Sequence, residues 1–136
     1  MIPSGLLLTV GLFSPTPLSL SLVSPEKYDP QRPGIVGRVR HPVIWSIGLW
    51  ALAHMAPNGD VASLSMFSLL LLAGLTGPKS LDAKRRAKLG EEEWIRLASP
   101  QRSLQGLNNP ALFSGFILYG FLVWAHEYVI GVVPLP

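Results

Sequence analysis

The chain contains no cysteine, which excludes disulfides, thiolate metal centres and a cysteine nucleophile. Charge is scarce too. Only 14% of the 136 residues are Asp, Glu, Lys or Arg, where a soluble domain carries about 25%. Hydrophobic residues reach 49%, and a domain this small needs charge to cover its surface. The shortage points to lipid as the cover. No Lys or Arg precedes the first apolar run and no small-residue cleavage site follows it, so the pattern of a secretory signal is missing. Gly-rich phosphate loops, a Ser-His-Asp set and a His-x-x-x-His metal motif are also missing.

What is present is a set of apolar runs separated by punctuation. The length suits a single domain, residues 1–136. Residues 2–23 are apolar but interrupted by Pro15 and Pro17, which end or kink a helix; they read as a partial span. Residues 24–40 form a loop rich in Pro, Gly and basic residues. Pro42 sits well in the first turn of a helix, and the apolar run 42–56 closes on Pro57-Asn58-Gly59, a turn by its chemistry. Asp60 is placed to cap the next helix, an uncharged run over 61–78 that exits through Gly77-Pro78-Lys79. Residues 79–108 mix basic and acidic residues, with a polar helix over 81–89 and a short one over 91–98 whose Trp94 and Leu97 suit the headgroup level. A last span covers 110–130. The expected fold class is all-α: a polytopic integral membrane helical bundle of three full spans and one partial N-terminal span.

All 11 Lys and Arg fall within 27–40 and 79–102. A hairpin of helices between those segments brings both to one side of a bilayer, and the positive-inside rule then makes loops 24–40 and 79–108 cytoplasmic. The net charge of +3 is thereby explained without nucleic acid. The partner that composition implies is the lipid bilayer. Gly48, Gly74, Gly115 and Gly120 permit close helix packing, so an oligomer is allowed but not required.

Ionisable residues at or within spans are functional candidates. His41 and His54 stand 13 residues apart on one helix, roughly 20 Å along its axis and about 140° around it; they cannot share one metal. His54 and His126 lie on different spans at depths about 6 Å apart. Two histidines at matching depth are able to hold a haem iron from its two faces; the alternative is that each histidine bonds a carbonyl or water at an interface. Arg40, His41 and Pro42 suit either a site or contact with lipid phosphates. Asn58, Gly59 and Asp60 suit a turn and cap. Asp82 has the spacing for local ion pairs with Arg85 and Arg86.

At these residues the chain resembles a known family. R-H-P-V-I-W at 40–45, L-W-A-L-A-H at 49–54, N-G-D at 58–60, A-S-L at 62–64 and the segment from Asp82 to Glu91 look like the NnrU family of bacterial membrane proteins. Pro15-Thr16-Pro17-Leu18 and the ending G-V-V-P-L-P are similar to that family as well. The resemblance implies a bacterial inner-membrane protein linked to denitrification and nitric oxide metabolism. A plant relative, 15-cis-ζ-carotene isomerase, extends the implication to haem b and a redox or isomerase-like role, with His54, His41 and His126 as candidate ligands. It also implies further spans ahead of Met1. The run from Arg40 to Pro42 followed by Glu91, Glu92 and Glu93 is similar to membrane methyltransferases as well, which implies S-adenosylmethionine held by His41 and those glutamates. A non-catalytic partner of a reductase is the third reading.

Overall fold

The computed structural model describes residues 1–99 and 102–133; the last three residues of the G-V-V-P-L-P ending lie outside them. Every regular element among the described residues is helical: α1 (Ile2–Leu12), α2 (Pro42–Met55), α3 (Val61–Leu89), α4 (Glu91–Ala98) and α5 (Asn109–Ile130), with single 3₁₀ turns at Pro25–Lys27 and Gly34–Gly37. The expected all-α class is borne out. The expected number of full spans is not confirmed. Among the described residues only α3 and α5 are long and apolar enough to cross a membrane. With 14 residues, α2 extends about 21 Å against a hydrocarbon core of about 30 Å. The first apolar segment is helical only to Leu12, after which Pro15 and Pro17 hold the chain in turns.

Local chemistry explains most boundaries. Pro42 opens α2. At its other end the Asn58 Nδ2 donates to the free carbonyl of His54 at 2.7 Å, covering an acceptor that the helix leaves open. Asp60 caps α3, its Oδ1 accepting from the Ser63 amide at 2.9 Å. Asn108 does the same for α5 through the Ala111 amide at 3.0 Å, while its Nδ2 donates to the Phe13 carbonyl at 2.6 Å. One side chain thus starts α5 and ties it to the end of α1.

The helix over 61–78 does not stop at Pro78. It continues unbroken to Leu89, with Pro78 inside it, and ends at Gly90, whose φ of +81° favours glycine. Pro78 removes one backbone hydrogen bond, and contacts of the following turns with the start of α2, described below, offset that loss.

The helices pack in the order α3, α2, α1, α5. Ser46 of α2 faces α1, its carbonyl accepting from Ser4 Oγ at 2.8 Å. Gly48, about 200° further round, faces α3, where Gly74 meets it backbone to backbone. On its other side α1 meets α5 through Gly5, Leu6 and Thr9 against Gly115. Neighbours run antiparallel. The outer faces of α3 and α5 stay uncovered, with Leu69, Leu72, Phe113, Phe121 and Trp124 all exposed, as lipid-facing helices require.

Candidate functional site

The two ends of α2 carry different chemistry. At the far end, near the Asn58-Gly59-Asp60 turn, the His54 ring lies 4.4 Å from the Trp50 ring and 5.3 Å from the Phe67 ring. Its Nδ1 is 2.8 Å from the Trp50 carbonyl. A carbonyl only accepts, so Nδ1 donates and Nε2 carries the lone pair. A histidine that ligates a metal is commonly held by this kind of bond from its other ring nitrogen. No Lys or Arg shares this end, whose only acidic residues are Asp60 and Glu127.

His126 on α5 has the same polarity, its Nδ1 bonding the Val132 carbonyl at 2.7 Å. The structure does not bring it to His54. α5 packs on α1 rather than on α2. Register gives the levels. Gly115 sits beside Leu6, and Leu52 shares a small groove with Met1, so His126 lies about 6 Å further out than His54 at 1.5 Å per residue. Among the described residues no group of three or more His, Cys, Asp or Glu could hold a metal ion.

At the basic end, Asp82 is the hub. Its carboxylate accepts from Arg40 Nη1 at 2.5 Å and from His41 Nε2 at 3.1 Å, while Arg40 Nη2 reaches the Ala98 carbonyl at 3.1 Å. These bonds join the start of α2, the part of α3 beyond Pro78 and the end of α4. The local pairs expected between Asp82 and Arg85 or Arg86 are not what forms: Asp82 turns toward α2, and Arg86 pairs with Glu91 instead. Once α3 continues through Pro78, Asp82 extends the register set by Gly48 against Gly74, and lands opposite Arg40 and His41. The apolar face expected on α4 is present, and protein covers it. Trp94, Leu97 and Ala98 pack on Leu18 with Tyr28 and Leu89, because the Pro15-Pro17 turns bring an apolar partner beneath them.

His41 is almost fully buried, at 2% exposure. Burial lowers its pKa, partly offset by the hydrogen bond to Asp82. In the folded state the neutral ring is therefore favoured relative to the unfolded chain, whose pKa is about 6.5. The stability this contributes is complete above that value and is lost as pH falls through the lower folded pKa. Thermal unfolding in detergent across pH 7.5 to 4.5 is expected to show a steeper acid loss for wild type than for His41→Gln. Parallel curves would show that His41 does not set this dependence.

Of the other candidates, Pro42 is buried at the helix start, Asn58 and Asp60 serve as caps, and Arg85 is half-buried on α3. Two of the three glutamates of the S-adenosylmethionine reading are engaged locally, Glu91 with Arg86 and Glu93 with Arg96. Sequence reasoning did not foresee the aromatic walls around His54; the only signal was Trp50 one turn before it.

The family model described as NnrU protein matches residues 1–134. No curated protein and no solved structure matches the chain.

Proposed function

The chain belongs to the NnrU family, and on that premise we propose that it is an integral membrane protein that holds haem b through His54. The role we propose is redox or isomerase-like and linked to denitrification or nitric oxide metabolism. The basic end would face the cytoplasm of a bacterial inner membrane, following the positive-inside rule. The observation that supports the haem reading most is the state of His54, with Nδ1 tied to the Trp50 carbonyl, Nε2 left as a lone-pair donor, and aromatic rings on two sides. The donor set here, the Nε2 of His54, fits a haem held through this residue. His126 stands at another level on a helix that does not pack against α2.

Held there by His54, a haem would supply one-electron chemistry. The protein's part is to hold the imidazole and to keep water away with apolar walls. The absorbance spectrum of the purified protein, oxidised and reduced, is expected to show a Soret band that His54→Ala removes and His126→Ala leaves in place. A featureless wild-type spectrum would sink the haem reading. A band that only His126→Ala removes would move the ligand to α5.

A further inference from the structure

At the basic end the residues around Trp94 form a donor-rich cluster for which neither the family nor the haem reading gives a use. The guanidinium of Arg40 lies 5.7 Å and that of Arg86 5.2 Å from the centre of the Trp94 ring. Trp94 and Tyr28 pack on the same Leu18, Leu97 and Ala98 core. The Trp94 Nε1 and the Tyr28 hydroxyl are buried and find no hydrogen-bond partner among the described residues, and the same holds for the hydroxyls of Ser14 and Ser19 on the turns that carry Leu18. Each of these four groups can donate. Buried polar groups in proteins are almost always paired, and a donor left bare is costly.

The carboxylates around the cluster already have partners, Asp29 accepting from the Gln31 amide. Asp82 receives Arg40 and His41, and Glu91 receives Arg86. What the cluster offers is therefore N–H and O–H groups beside two guanidiniums, the complement of an oxygen-rich anion. The cluster also lies just beyond the apolar stretch of α3 and the first turn of α2, where lipid headgroups would be met. The Arg86–Glu91 pair that borders it is half exposed, and such pairs are worth little, so it can open to admit a ligand.

We propose that this cluster is a binding site for a phosphoryl group, with Trp94 and Tyr28 as donors and Arg40 and Arg86 as the cationic flank. The group belongs either to a phospholipid headgroup or to a soluble phosphate ester. Delipidated full-length protein in uncharged detergent would be titrated with phosphatidylglycerol, with diacylglycerol of the same chains, and with inorganic phosphate, following the unfolding midpoint. Phosphatidylglycerol is expected to raise the midpoint well above the diacylglycerol control. Trp94→Phe and Tyr28→Phe, which keep an aromatic side chain and remove one donor each, are expected to weaken the apparent affinity about tenfold each. An equal shift from inorganic phosphate alone, with the same loss in the variants, would support the site and assign it to a soluble ester. Equal stabilisation of wild type by phosphatidylglycerol and diacylglycerol, or variants that keep the full phosphatidylglycerol effect, would overturn it. The wild-type comparison decides even if a variant fails to fold.

Discussion

Replacing Gly74 by valine is expected to separate α2 from α3 and to cost the protein about 3 kcal/mol or more. A Cβ on Gly74 would lie 2.6 Å from the Gly48 Cα and 3.0 Å from its amide nitrogen. Both neighbours are backbone, so no side-chain rotation relieves the clash. One helix must move away, losing the pairing of Trp50 and His54 with Phe67 and stretching the tie from Asp82 to Arg40. In a chain of this size the thermal midpoint should fall by roughly 10 °C, and the haem band predicted for His54 should weaken with it. Gly120→Ala is the control. Nothing lies within 4 Å of a Cβ there, and a helix-interior glycine costs about 1 kcal/mol relative to alanine. Its midpoint should stay level or rise. Equal losses in the two variants would show that the Gly48–Gly74 contact is not what holds the pair.

That contact also shows how far the sequence could be read. Gly48 and Gly74 were recognisable as small residues within apolar runs, and Pro42, Pro57-Asn58-Gly59 and Asp60 marked the hairpin they close. Local chemistry sets those features, and local chemistry is written in neighbouring residues. The extent of α3 was hidden because Pro78 is a strong local stop. It is outweighed by distant ties, from Asp82 to Arg40 and His41 across 42 and 41 positions of chain. What covers Trp94 was hidden for a similar reason. Its partner Leu18 comes from the turns after α1, and amphipathicity tells that a helix has an apolar face without naming what covers it. The separation of His54 from His126 depends on α1 standing between α2 and α5, an order of packing that hydropathy does not encode.

Removing Asp82 is expected to have the second-largest effect, because three elements lose their common acceptor at once. In Asp82→Ala the Nε2–H of His41 is left bare in a side chain that is 2% exposed, beside an Nδ1 that already has no partner among the described residues. Arg40 keeps only the Ala98 carbonyl. Breaking a buried hydrogen-bonded pair costs about 3 to 5 kcal/mol. Arg40 is 36% and Asp82 24% exposed, so water screens part of this and a loss of about 2 kcal/mol is the fitting scale. Asp82→Asn retains one carbonyl acceptor and should recover roughly half of it. The decisive readout is the His41 ring itself. Burial lowers its pKa and Asp82 opposes that shift, so without the carboxylate the titration observed by nitrogen NMR should move further down, not up. An unchanged His41 titration in Asp82→Asn would mean that Asp82 serves Arg40 alone. A shift downward together with lost stability would identify the carboxylate as the group that both orients His41 and fastens α3, beyond its proline, to the start of α2.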